Sequence, residues 1–289
     1  MTALFALGTS LLWGLADFGG GLLTRRFPAL TVVVVSQSIA VVVLGAVVLA
    51  TGAFDEAGPL LWYAVAAGVV GPVAMLAFYK ALALGPMGVV SPLGSLGVVV
   101  PVGVGLLLGD RPGLLQFAGI AVAVVGVVLA GGPELRGAPV QRQAVLLTLL
   151  AAFGFGAVMA LISEASTTVT GLFLALFVQR VTNVVVGGAA LWVSVRRGGR
   201  ALPGDGGGLR AIAVSLPALA FVGLADVAAN GTYALAAQRG PVTVAAVLAS
   251  LYPVVTALAA RGVLKERLRA VQAAGAGLAL VGTVLLATG

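Results

Sequence analysis

Three ionisable side chains interrupt long apolar stretches of this chain: Asp17, Arg180 and Asp226. In the middle of a lipid bilayer such a group costs about 3 kcal/mol, so it commonly marks a binding or proton-transfer site. A carboxylate there can take up a proton or a cationic group. Asn183 and Asn230 lie within one helical turn of Arg180 and Asp226, on the same helix faces. We therefore expect Arg180 and Asp226 to pair across a helix bundle.

The composition indicates that these stretches lie in lipid. The 289 residues are 61% hydrophobic and 9% charged, whereas soluble domains carry about 25% charged residues. The net charge of +7 does not indicate nucleic acid, because the basic residues occupy short loops between apolar stretches. The chain has neither Cys nor His, which excludes disulfides and thiolate metal sites and removes the commonest proton shuttle. We expect no metal and no cofactor.

Apolar stretches of about 20 residues, enough to cross roughly 30 Å of hydrocarbon, recur along the chain. The first is expected to be retained as a span, because no basic residue precedes it and Asp17 interrupts it. The sequence thus predicts an all-α integral membrane protein with ten transmembrane helices. The predicted helices are 3–23, 30–50, 60–80, 88–108, 114–131, 143–163, 171–193, 211–232, 242–262 and 271–288.

The loop charges predict the orientation. All Lys and Arg residues except Arg111, Arg180 and Arg239 lie around the loops that follow helices 1, 3, 5, 7 and 9. Cytoplasmic loops carry the excess of basic residues in membrane proteins. We therefore expect a multi-pass protein of the cell membrane with both termini outside the cytoplasm.

The second half of the chain repeats features of the first. At an offset of 142 residues, Trp13-Gly14 matches Phe155-Gly156 and Gln37 matches Gln179. Beyond a longer polar loop in the second half the offset becomes 155, where Gly85-Pro86 matches Gly240-Pro241 and Ser95-Leu96 matches Ser250-Leu251. The pattern predicts two five-helix repeats, residues 1–137 and 138–289. An odd number of helices per repeat gives the two copies opposite orientations, with a central site between them.

Depths in the membrane follow from a rise of about 1.5 Å per residue. Arg180 is expected roughly 12 Å below the outer end of helix 7, and Asp226 at a similar level near the outer third of helix 8. Asp17 is expected about 9 Å from the inner end of helix 1, near the level of Gln37. Two interpretations of each group stay open. The Arg180–Asp226 pair is either a structural clasp or part of a binding site, and Asp17 either faces a wet inner vestibule near Arg25 or acts in transport.

The predicted cavity is lined mainly by helices 1, 3, 4, 6, 8 and 9, where aromatic and small polar residues add to the ionisable ones. Breaks midway along helices 4 and 9 would free backbone carbonyls for a solute, although close helix packing explains the small residues equally well. The predicted binding residues are Trp13, Asp17, Gln37, Tyr79, Ser95, Gln179, Arg180, Asn183, Asp226, Asn230, Tyr233 and Ser250.

The repeats differ where charge matters. Asp226 and Asn230 correspond to Gly71 and Met75, and Asp17 corresponds to Met159. The cavity is therefore expected to be electrically asymmetric, which suits a small polar or zwitterionic solute.

The chain resembles the EamA-type branch of the drug/metabolite transporter superfamily over nearly its whole length. Trp13-Gly14, with Phe18 nearby, is similar to that family's first-helix pattern, and Gly109-Asp110-Arg111 and Lys265-Glu266-Arg267 are similar to its Gly-Glu-Arg/Lys turn. The resemblance implies a secondary transporter without ATP hydrolysis, often an exporter of amino acids, metabolites or drugs. The setting of Asp17, with Arg25 eight residues on, also resembles small multidrug resistance proteins, in which an acid carries protons or cationic drug in turn.

The function predicted from the sequence is secondary-active transport of small polar metabolites, amino acids or drugs by alternating access. The expected partners are the lipid bilayer, a small-molecule substrate and a proton or counter-substrate; a homodimer is left open. A channel-like or non-transporting membrane scaffold is the alternative. An intramembrane enzyme is disfavoured, since Cys and His are absent and Leu108-Gly109-Asp110 lacks the Gly-x-Gly-Asp signature of aspartyl membrane proteases.

Overall fold

The computed structural model describes residues 1–98, 100, 113–131, 141–165, 168–202, 208–239, 248–249, 251–266 and 269–288. In these ranges the chain is helical and forms no strand, as the sequence predicts. The α-helices are α1 (Thr2–Thr24), α2 (Ala29–Thr51), α3 (Leu61–Leu84), α4 (Met87–Gly94), α5 (Leu114–Gly131), α6 (Arg142–Ala165), α7 (Val169–Arg196), α8 (Gly208–Gln238), α9 (Tyr252–Val263) and α10 (Ala270–Thr288). Short 3-10 helices cover Ala53–Glu56 and Ser95–Val98.

Six helices of the described ranges are long and apolar enough to cross a membrane: α1, α2, α3, α6, α7 and α8. Their outer faces expose large apolar side chains such as Val42 at 71% and Leu49 at 73%. In lipid this exposure costs nothing, because the lipid tails are as apolar as these side chains. The backbone polar groups are satisfied within each helix. The chain is therefore a multi-pass membrane protein.

The fourth and ninth predicted helices are interrupted. α4 contains Pro92, ends at Gly94 and continues as a 3-10 helix over Ser95–Val98, since a proline removes one helical hydrogen bond. α9 begins only at Tyr252 and carries Pro253 in its first turn, where a proline is tolerated. Ser250, Gly109-Asp110-Arg111, Gly240-Pro241 and Arg267 lie outside the described residues.

The helices pack as pairs that cross between the two halves of the chain. The principal pairs are α1 with α8, α2 with α7, α3 with α6, and α5 with α10. α1 and α8 run antiparallel, since Thr9 shares a 2.9 Å hydrogen bond with Thr232 while Gly19 faces Val222.

α2 and α7 also run antiparallel. Gly187 faces Val34, Arg180 bonds Gln37, and Gly45 faces the ring of Phe177. As residue numbers increase along α2, the residues that they contact on α7 have decreasing numbers.

The two ends of the bundle are packed differently. At the end where α1 stops, which we call the Thr24 end, one continuous apolar core joins α1, α2, α3, α4, α6, α8 and α9. The same end is tied by Glu266, which lies 3.3 Å from the Arg25 guanidinium and accepts a 3.4 Å hydrogen bond from the Gly88 amide at the start of α4. At the opposite end, the Met1 end, the apolar residues that the structure describes form separate smaller clusters around Ala6, Val48 and Ala64.

Candidate functional site

A cavity of about 310 Å³ lies inside the bundle. The lining residues come from α1, α3, α4, α6, α7, α8, α9 and α10, and from the 3-10 helix after α4. The structure brings ten of the predicted binding residues to its wall: Trp13, Asp17, Tyr79, Ser95, Gln179, Arg180, Asn183, Asp226, Asn230 and Tyr233. Gln37 lies behind this wall, and Ser250 lies outside the described residues.

Arg180 and Asp226 pair as expected. The guanidinium Nη2 lies 2.8 Å from Asp226 Oδ2, and the two side chains are 10% and 20% exposed. This approach is a charge contact rather than an aligned hydrogen bond, because Asp226 Oδ2 has no partner of hydrogen-bonding geometry. Arg180 Nη1 donates a 2.8 Å hydrogen bond to Gln37 Oε1. The group thus ties α7 to α8 and α2 while one side of it faces the cavity.

Asn230 holds the carboxylate from its own helix. Its Nδ2 donates to the Asp226 carbonyl at 2.7 Å and lies 3.4 Å from Asp226 Oδ1. The Asp226 side chain is therefore positioned by two neighbours, of which Arg180 is cationic.

Several buried polar atoms of the wall have no partner among the described residues. They are both amide atoms of Asn183, Oε1 of Gln179 and Nε of Arg180. Asn183 and Gln179 are only 1% and 2% exposed. An unpaired buried polar atom costs about 1–3 kcal/mol, so these atoms favour a bound solute or water that pairs with them. Asn183 packs against Gly71, where any side chain would overlap its amide.

Asp17 differs from Asp226 because no described residue forms an ion pair or hydrogen bond with it. The depths estimated from the sequence separate the two acids, but the structure does not. The pairing of Thr9 with Thr232 and of Gly19 with Val222 places Asp17 within about two residues of the level of Asp226, or about 3 Å. The depths estimated from the sequence were wrong because they were measured from the helix ends, and α8 extends beyond the last residue of α1 at the Thr24 end.

Aromatic rings form the wall beside Asp17. Trp13 lies four residues before Asp17 and so shares its helix face. Its ring centroid is 6.0 Å from that of Tyr233 and 6.1 Å from that of Tyr252. Tyr79 is 4% exposed and reaches the same cavity from α3.

Other wall residues were not among the predicted binding residues. Phe78 and Phe155 stack edge to face at 5.5 Å, and Thr283 of α10 shares a 3.1 Å hydrogen bond with Ser95. Phe155 and Phe78 correspond by the repeat offsets to Trp13 and Tyr233, so applying the repeat to the chosen residues would have found them. No pattern in the sequence singles out Thr283.

The helices and the cavity define a multi-pass membrane protein with an internal cavity whose largely apolar wall carries several polar and ionisable side chains. A crystal structure of a protein that is 17% identical to this chain superposes with a TM-score of 0.60, covering 99% of this chain and 96% of that one. This likeness shows the fold alone. No curated protein matches the sequence.

The sequence profile of the EamA-like transporter family matches residues 1–132 and 142–288. The chain therefore belongs to the EamA-like transporter family, as its resemblance predicted, and is a transmembrane transporter of the drug/metabolite transporter superfamily.

Proposed function

We propose that the protein is a secondary-active transporter, built from two inverted five-helix repeats, that exports a small polar solute by alternating access. The repeats are residues 1–137 and 138–289, and the solute is a metabolite, an amino acid or a drug. The observation that carries the proposal is a largely apolar cavity that holds a cluster of polar and ionisable side chains, with walls drawn from corresponding positions of the two halves.

Four correspondences carry this argument. Trp13 and Phe155, Asp17 and Met159, Gly71 and Asp226, and Met75 and Asn230 all line the cavity, and each pair is related by an offset of 142 or 155 residues. A site where equivalent positions face one another lies on the axis that relates the repeats, which is where inverted-repeat transporters bind their solutes.

The antiparallel contact of α2 with α7 supports the inversion, because these helices occupy equivalent places in the two repeats. The principal helix pairs have the symmetry expected of two repeats. When each helix is exchanged for its equivalent in the other repeat, the α1–α8 pair becomes the α6–α3 pair, and the α2–α7 and α5–α10 pairs are each unchanged.

The unequal packing of the two ends supports alternating access. Among the described residues, the continuous core and the Glu266 contacts close the Thr24 end, whereas the Met1 end holds smaller separate clusters. The loop charges favour a cytoplasmic Thr24 end, with both termini outside the cytoplasm. This conformation is then closed to the cytoplasm, and rocking of one repeat against the other would open the sealed side.

The coupling hypothesis is that Asp17 or Asp226 takes up a proton or a cationic group during the cycle. Transport by the purified protein in proteoliposomes tests it, with solutes first selected by thermal shift among amino acids, nucleosides, sugars and cationic dyes. We expect saturable uptake that a pH gradient drives, and we expect Asp17→Asn or Asp226→Asn to lose that drive. Full pH-driven activity in both variants would rule out the coupling.

A channel-like pore or a scaffold is separated from a carrier by counterflow. A carrier accelerates the uptake of labelled solute when unlabelled solute is loaded inside the vesicle, because the empty site returns more slowly than the loaded one. Flux that neither saturates nor responds to internal solute would contradict alternating access.

A further inference from the structure

The cavity wall carries one negative charge more than positive charges among the described residues. Its charged groups are Asp17 of α1, Arg180 of α7 and Asp226 of α8. Arg180 is already engaged by Asp226 at 2.8 Å and by Gln37 at 2.8 Å. The carboxylate of Asp17 therefore remains without a cation, in a place where an uncompensated charge is costly.

The neighbours of Asp17 suit an organic cation. Trp13 shares its helix face, and the rings of Tyr233 and Tyr252 lie about 6 Å from the Trp13 ring. Aromatic faces attract ammonium groups within about 6 Å of the ring centroid, and a carboxylate supplies the opposite charge. Asp226, the other acid within electrostatic reach of Asp17, adds to the attraction for a cation.

The remainder of the wall offers uncharged hydrogen-bonding atoms. The amide of Asn183 and Oε1 of Gln179 are buried and unpartnered among the described residues. They can pair with a hydroxyl or amide group of a solute. A solute carboxylate meets no unneutralised cation among the described wall residues, because Arg180 already pairs with Asp226. Only the Nε of Arg180 lacks a partner there, and a carboxylate at that atom would stand close to two acids.

We propose that the protein selects organic monocations over the corresponding zwitterions. The ammonium group binds Asp17 among the rings of Trp13, Tyr233 and Tyr252. This inference rests on the proposed function for its premise that the cavity is the solute site. The remaining neutral end of the cation lies towards Asn183 and Gln179. Asp226 is the internal counter-ion of Arg180 and is not the primary contact of the ammonium group.

Binding of matched pairs to the purified protein, measured by calorimetry in detergent, tests this selection independently of transport. The pairs are tyramine with tyrosine, phenethylamine with phenylalanine, and isoamylamine with leucine, which differ only in the carboxylate. We expect the amine to bind at least tenfold more tightly in each pair. Equal affinity, tighter binding of the amino acids, or no measurable difference in all three pairs overturns the proposal.

Variants assign the site. Asp17→Asn keeps the size of the side chain and should weaken amine binding at least tenfold, and Asp17→Glu should restore most of it. Asp55→Asn, which removes an exposed acid of the Ala53–Glu56 helix, is the matched control and should bind as the parent does. Undiminished amine binding by folded Asp17→Asn overturns the assignment.

The failure of this inference can be told from the failure of the proposed function. Transport of zwitterions but not of amines would overturn this inference and leave the proposed function standing. Amine binding without any transport would leave this inference standing and overturn the proposed function.

Discussion

Asp226→Asn should destabilise the protein although it changes neither the size of the side chain nor its contact with Asn230. The amide keeps an oxygen near Asn230 Nδ2, now 3.4 Å from Oδ1, and Arg180 keeps its 2.8 Å bond to Gln37. What disappears is the charge 2.8 Å from the guanidinium. Removing one partner of a buried ion pair costs about 3–5 kcal/mol. Since Asp226 is 20% exposed, the lower end applies, about 3 kcal/mol.

A loss of that size corresponds to a fall in Tm of about 6 °C for a chain of this length. Thermal unfolding in detergent, followed by the fluorescence of the three Trp residues, measures it. The double variant Arg180→Gln/Asp226→Asn removes both charges and should regain at least about 2 kcal/mol relative to the sum of the single losses. Asp17→Asn is the matched control and should not lower the Tm, because no described residue pairs with that carboxylate. A Tm for Asp226→Asn within 1 °C of the parent, or additive single losses, would refute the reasoning.

Two further perturbations examine the helix packing and the orientation. Gly223→Ala would place a Cβ against the backbone carbonyl of Ser36 in α2, which cannot swing aside, and should cost about 1–3 kcal/mol of stability. Gly8→Ala, whose Cβ meets nothing within 4 Å, should cost none, and equal Tm values for the two variants would contradict the packing. Because the chain has no Cys, Arg200→Cys and Glu56→Cys can be labelled singly in cells. An impermeant thiol reagent should reach only the cysteine at 56, and the opposite pattern would invert the predicted topology.

The class of protein could be predicted from the sequence because few backbone structures can span a lipid bilayer. Every spanning segment must satisfy its own backbone hydrogen bonds, so length and apolar content suffice to place most helices. The structure confirms the all-helical membrane class, with α8 starting three residues earlier and ending six later than predicted. The interruption after Gly94 was one of two interpretations of the small residues there, and local composition could not decide between them.

The candidate site was predictable for a related reason. Ionisable residues in apolar stretches are too costly to be incidental, and Asp17, Arg180 and Asp226 all reach the one cavity. Their binding roles stay predictions. The contact of Gln37 with Arg180 was not foreseen, since nothing in the spacing of residues 143 positions apart reports which helices are neighbours.

The sequence by itself determined that this chain is a membrane protein and which of its side chains are too polar for lipid, because those properties depend on composition along the chain. It also predicted that the two halves are related, from the features that recur at fixed offsets. The sequence also predicted the Arg180–Asp226 pair. Only the tertiary structure decided that Asp17 has no such partner among the described residues, and that both acids lie at nearly one level. Those facts depend on how far one helix is displaced along another. That displacement is set by side-chain packing between distant segments and leaves no mark on either segment alone.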